Sequence, residues 1–247
     1  MATFRDEAVV LRTIRLGEAD RIISFVTPEH GKVRAVAKGI RKPKSKLAGR
    51  LEPLTHVDVM CWKGRDLDIV NQVEVLDHFR SVREDLDRMP AAFTMLEAVD
   101  LMVVDSQPMP GVFRSLIGAL RTLDHGPAPV LLGAFLFRLL EREGVGPLVD
   151  SCAACGEDAP LVAYDEHLGG LLCRSCRSGH PVAPETVALL RQILGGELRR
   201  ALAAPASRAT AEVERLATLT VEYHLDRRLR SAHLESGPLL PGTPAVP

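Results

Sequence analysis

The chain has 247 residues, 46% of them apolar and 26% charged, which is ordinary globular composition with length for one or two domains. Its 31 basic and 32 acidic side chains leave a net charge of −1, so it is no simple polycation, and any electrostatic role must come from local patches. Aromatic residues are only 4%, few for a protein that works by stacking bases on rings.

The first residues, MATFRDEAVVLRT, carry charges at Arg5, Asp6, Glu7 and Arg12 and no long apolar stretch, so no targeting segment is read there. The longest apolar run, Ala128 to Phe137, is interrupted by Gly133 and too short to span a bilayer. It reads as a buried helix. A soluble cytoplasmic protein without a membrane partner is the expectation.

Up to about residue 79 the chain reads as short strands: EAVVLRTI, IISFVT, KVRAVAKG, HVDVMCW and LDIVNQVEV. Polar turns separate them, and Val57, Val59 and Cys61 alternate with Asp58 and Met60. Five such strands suit a small barrel. An OB-fold is the natural candidate, and an SH3-like barrel would give much the same pattern. Glu18 and Asp20 are expected to shape the first turn, and Cys61 to be a core residue.

From Val82 the pattern turns helical. Pro90 suits a first helical turn. AAFTMLEAVDLMVV is apolar nearly all round, as in a helix that is buried or covered by a partner. VFRSLIGALRTL and PVLLGAFLFRLLEREG follow as helices, then, after residue 180, ETVALLRQIL and a weak ELRRALAA. A last helix is expected from about Ala209 to Arg230, ending on Arg227, Arg228 and Arg230 as the helix dipole prefers. The tail, residues 235–247, is rich in Pro and Gly and is expected to be disordered. The fold class is therefore α+β: an N-terminal barrel (1–79), then a helical domain (80–234) carrying a small module at 150–180.

That module holds Cys152-Ala-Ala-Cys155 and Cys173-Arg-Ser-Cys176, separated by seventeen residues. Two CxxC turns at the ends of a β-ribbon bring four thiolates together tetrahedrally, and the spacing is that of a zinc ribbon. One structural Zn2+ is the expectation, since four cysteines leave no open position for a catalytic water. His167 and His180 lie nearby but are more simply surface residues.

Residues 31–51, GKVRAVAKGIRKPKSKLAGRL, carry eight positive charges and no negative one: Lys32, Arg34, Lys38, Arg41, Lys42, Lys44, Lys46 and Arg50. On a barrel this points to phosphate contact, and so to a nucleic-acid interface whose readout is mostly backbone. Lys32, Arg34 and Lys38 share strand parity. Trp62 and Phe25 are possible base-stacking rings, though such residues more often fill a core.

No P-loop, GxGxxG, HExxH or GxSxG motif occurs. The acids in EADR and EDLD leave a metal-dependent nuclease as one alternative, although such pairs are more often caps. A zinc-ribbon factor that binds RNA is another.

The stretch from Leu16 to Leu54 resembles the N-terminal signature of the RecO family of bacterial recombination mediators. The matching positions are Gly17-Glu18-Ala19-Asp20, the turn from Thr27 to Gly31, Ala37-Lys38-Gly39, Arg41-Lys42, Ser45 and Leu51-Glu52-Pro53. The order of the later parts fits as well: helices, a four-cysteine insertion, more helices. The resemblance implies an OB-fold, binding of single- and double-stranded DNA, annealing of strands coated with single-strand-binding protein through that protein's C-terminal tail, and loading of RecA together with RecR. It implies no ATP hydrolysis and a place at the bacterial nucleoid.

Overall fold

The computed structural model describes residues 2–233. The expectation for residues 235–247 falls outside them.

The five strands form as the alternation predicts: β1 (Thr3–Leu16), β2 (Asp20–Thr27), β3 (Gly31–Ala37), β4 (His56–Trp62) and β5 (Asp68–Asp77). They close into a barrel in the order β1-β2-β3-β5-β4. β1 is long because it serves two partners, pairing Thr3 to Val9 with β4 and Val9 to Leu16 with β2. A bulge between Val10 and Arg12 bends it between them. A short parallel contact of β3 with β5, at Ala35 and Val36, closes the ring. This is the OB-fold arrangement rather than the SH3-like one.

Alternate side chains fill the barrel, among them Ala8, Val10, Ile23, Phe25, Val59 and Cys61. Phe25 is fully buried there and is no platform for a base. Burial pushes the Cys61 thiol up to about 12, as suits a core residue. The run Ala8-Val9-Val10-Leu11 is apolar throughout because its other face, Val9 and Leu11, packs into the helical core together with Val26 and Leu54.

The helices are α1 (Arg80–Arg83), α2 (Met89–Met102), α3 (Pro110–His125), α4 (Leu131–Arg142), α5 (Pro184–Leu194), α6 (Leu198–Leu202) and α7 (Arg208–Leu225). Proline opens α2, α3 and α5 in the first turn. α2 lies between the barrel and the other helices, with Met95, Leu96, Ala98 and Val99 buried, so the chain itself covers this apolar helix. α4 is the central helix, buried continuously from Leu131 to Phe137. Gly133 permits its crossing with α7, since a methyl group there would stand 2.9 Å from the Glu214 backbone.

α7 stops earlier than the sequence suggests. Asp226 takes a left-handed conformation, and the Glu222 carboxylate accepts the Leu229 N–H and pairs with His233. The chain is pulled back, and the Arg230 and Ser231 N–H groups donate to Glu97 on α2. Arg227, Arg228 and Arg230 therefore lie beyond the helix and do not cap its dipole.

Between α4 and α5 the strands β6 (Leu161–Asp165), β7 (Gly170–Cys173) and β8 (His180–Pro181) form a small sheet in the order β7-β6-β8. It is not a free appendage. Leu161, Leu171, Leu172 and Tyr164 join the helical core, and the Tyr164 hydroxyl bonds Thr220 Oγ1 on α7 at 2.8 Å.

Candidate nucleic-acid interface and metal centre

The loop between β3 and β4 is built as a series of tight turns. Lys42 N–H donates to Gly39 O, Ser45 N–H to Lys42 O, and Leu51 N–H to Leu47 O. Ile40 and Leu51 plug into the barrel core and fix the ends. The β1–β2 turn braces the entry: Asp20 Oδ1 accepts the Gly39 N–H at 2.7 Å, and Ala19 O accepts the Arg41 N–H at 2.9 Å. Arg83 clamps the exit, donating to the carbonyls of Pro53 and Leu54. The sequence segments around Asp20, Gly39 and Pro53 are thus one structural unit.

The eight cations divide. Arg41 donates to Glu18 O at 2.9 Å and Arg50 to Val73 O at 3.1 Å. Lys32 is only 13% exposed and bonds Asp100 O at 2.8 Å and Asp105 Oδ1 at 3.0 Å. The side chains of Arg34, Lys38, Lys42, Lys44 and Lys46 are exposed and have no hydrogen-bond or ion-pair partner among the described residues. Lys32 and Arg34 do share the outer face of β3, while Lys38 follows one residue after the strand ends.

Lys46 and Arg50 overhang a groove of about 740 Å³ on the outside of β4 and β5. Met60, Asn71, Gln72, Glu74 and His78 also line it. Composition-based reading overlooks these residues. The polar Asn71-Gln72 pair inside an otherwise β-branched strand was the available signal. Arg5, also on the groove, is held by Asp58 at 2.6 Å. Trp62 is the exposed aromatic ring of the barrel among the described residues.

Of the acids that left a nuclease open, two are held in turns. Asp20 holds Gly39, and Asp85 Oδ1 accepts the N–H groups of Asp87 and Arg88. Among the described residues, the cluster of His, Cys, Asp or Glu spaced to hold a metal ion is that of the four cysteines.

The Sγ atoms of Cys152, Cys155, Cys173 and Cys176 lie within 4.8 Å of one another, with Cys155 and Cys173 at 3.9 Å. A tetrahedral four-thiolate centre with metal–sulfur bonds of ~2.3 Å has its sulfurs ~3.8 Å apart, so the donors fit. Cys173 ends β7, and Cys152 opens the turn before β6. The Cys173 N–H donates to Cys152 Sγ at 3.4 Å and is the main cause that brings the Cys152 thiol down to about 6, while hydrogen bonds with Cys155 and Cys173 push the Cys176 thiol up to about 12. His167 and His180 stand outside the cluster: His167 packs edge-on against Tyr223 and His180 pairs with Glu166.

An OB-type barrel bearing a loop of unpaired cations, joined to a helical body with a four-cysteine centre, defines the architectural class. Comparison with known proteins narrows it. Residues 1–79 match the family "Recombination protein O N terminal" and residues 83–233 match "Recombination protein O C terminal". The "DNA repair protein RecO" of Cutibacterium acnes is 42% identical over 245 residues, covering 95% of this chain and 99% of the relative. The protein of the same name from Nocardioides sp. is 42% identical over 240 residues, with 92% and 97% covered. That from Thermobifida fusca is 40% identical over 240 residues, with 95% and 98% covered. The chain belongs to the recombination protein O family of DNA repair proteins. Among the described residues no helix is long and apolar enough to cross a membrane.

Proposed function

We propose that this protein is a recombination mediator without catalysis of its own. It binds single- and double-stranded DNA through the barrel loop and anneals complementary strands coated with single-strand-binding protein. With RecR it promotes loading of RecA, working in the cytoplasm at the nucleoid. The observation that carries this reading is the acid-free loop whose Lys38, Lys42, Lys44 and Lys46 are all exposed and unpaired. Family membership supports the repair context.

The physical route is charge screening. Two complementary strands repel through their phosphates, and a cationic loop lowers that barrier on both. The bases must stay free to pair, which agrees with a barrel whose Phe25 is buried and which, among the described residues, exposes few aromatic rings, Trp62 the most. The four-cysteine site holds zinc in a structural role: four thiolates close a tetrahedral shell and leave no position for water.

Annealing of complementary oligonucleotides coated with single-strand-binding protein tests the reading. The protein should accelerate annealing without ATP, and the acceleration should fade as salt rises. Absence of acceleration at low salt, or strand cleavage in magnesium, would contradict it.

A further inference from the structure

The barrel has a second cleft, of about 320 Å³, lined by cations and acids in equal number, between β3 and the turn that joins β4 to β5. Lys32 and Arg34 line it from β3, and Lys63 and Arg65 from the turn. Arg34, Lys63 and Arg65 have no ion-pair partner among the described residues. Lys63 and Arg65 are exposed, and the Lys63 ammonium sits 4.8 Å from the centre of the Phe4 ring.

A segment of the helical domain reaches into this cleft. β5 pairs with β3 only at Ala35 and Val36, which leaves the edge of the first half of β3 open. The linker between α2 and α3 fills it. Ser106 N–H donates to Lys32 O at 2.9 Å, and Asp105 faces Lys32 as a one-residue parallel bridge. The approach is close: a methyl group at Gly31 would stand 2.0 Å from Gln107 O. Asp105, 52% exposed, places Oδ1 3.0 Å from Lys32 Nζ.

The other acids of the cleft are Glu29, Asp66 and Asp68, and Asp68 is spent on the Gly64 N–H at 2.9 Å. With Asp105 in place, four cations face four carboxylates; without it the cleft is positive. Behind Lys32, the carboxylate of Asp100 is paired with Arg12 and stays inside the domain junction, so Asp105 is the acid able to leave.

We propose that this cleft is a second phosphate-binding site for the nucleic-acid backbone, and that Asp105 occupies it as an internal stand-in for a phosphate. The inference rests on the reading that the barrel binds nucleic acid, and it adds a competition for Lys32. An ion pair half open to water is weak, whereas a phosphodiester that releases its counterions gains on binding. Lys32 therefore contacts nucleic acid only after Asp105 withdraws, and Arg34, Lys63 and Arg65 receive the neighbouring phosphates.

The test is anisotropy of a labelled oligothymidylate bound by the full chain over a series of salt concentrations. Asp105→Asn is expected to tighten binding about fivefold at low salt, the order of one surface ion pair released. It should also steepen the slope of log affinity against log salt by about 0.7, the value for one more phosphate on a single strand. The gain from Asp105→Asn should disappear when the double variant Asp105→Asn, Lys32→Ala is compared with Lys32→Ala alone. Thermal melts of each variant show whether the barrel is intact, and Asp105, at the surface, is not needed to fold it. Salt-sensitive wild-type binding with no response to Asp105→Asn, or a gain that survives Lys32→Ala, overturns this inference alone. A wild-type protein without salt-sensitive binding overturns the underlying reading too.

Discussion

The loop between β3 and β4 and the four-cysteine module are both short, irregular segments, and they are held in opposite ways. The loop is braced by hydrogen bonds that Asp20, Ala19 and Arg83 make to its backbone, and Ile40 and Leu51 anchor it in the barrel core. Its remaining charges point to solvent and satisfy nothing inside the protein. The module directs its chemistry inward. Cys152 and Cys173 are buried, and their neighbours Tyr164, Leu171 and Leu172 belong to the helical core. Polar groups left unpaired on a rigid support are available to a ligand, whereas donors that converge on one another hold a structural ion. On the proposed reading, the difference separates the part assigned to nucleic acid from the part assigned to holding the helical domain in shape.

The largest expected effect comes from breaking the inward-facing side. Cys173→Ser should abolish stoichiometric zinc and lower the melting temperature by roughly 10 °C, corresponding to about 3 kcal/mol in a chain of this size. Below that melting point its oligonucleotide affinity should stay within about twofold of wild type, a factor worth less than ~0.5 kcal/mol. Metal analysis, melting and anisotropy on one preparation check all three. Full zinc content in the variant would remove Cys173 from the ligand set.

An intermediate effect should separate braces from contacts within the loop. Arg41→Ala removes donors that hold the carbonyls of Glu18 and Gly17. Affinity should fall several-fold, the size of about 1 kcal/mol for an exposed charge-assisted hydrogen bond, while the salt slope stays near wild type. A slope shallower by about 0.7 would instead make Arg41 a phosphate contact.

The smallest effect concerns the junction between the two domains. His56 is 3% exposed, lies against Phe113 of α3, and holds Glu7 at 3.2 Å. Burial lowers its pKa below the ordinary value of 6.5 despite the nearby carboxylate. The unfolded chain then binds this proton more readily than the folded one. Stability is intact above the unfolded value and declines as pH falls from ~6.5 toward the lower folded pKa. Melting curves between neutral and mildly acid pH should show the decline, and His56→Gln should reduce it.

Much of this was legible in the sequence because local rules sufficed. The alternation at Val57, Val59 and Cys61 specifies a strand with one buried face, and the paired CxxC turns specify a tetrahedral centre. What stayed hidden depended on distant partners. Lys32 looks like its neighbours in the basic segment until α2 brings Asp100, and the linker after it Asp105, against its ammonium. Arg41 and Arg50 are removed from the free set by carbonyls of other strands. The end of α7 was misplaced because Glu222 and Glu97 redirect the chain there, and neither is a helix-stop signal. The four-cysteine module is also supported by the helical core, through Tyr164 and its bond to Thr220, a partner that lies far along the chain.

The central claim is that the unpaired lysines of the loop are the phosphate contacts. It is tested most directly by replacing Lys38, Lys42, Lys44 and Lys46 together with Ala and measuring oligothymidylate affinity across salt. The account predicts an unchanged melting temperature, loss of affinity at every salt, and a slope shallower by about 0.7 for each contact removed, or about 3 in all. Affinity and slope equal to those of the wild type would contradict it.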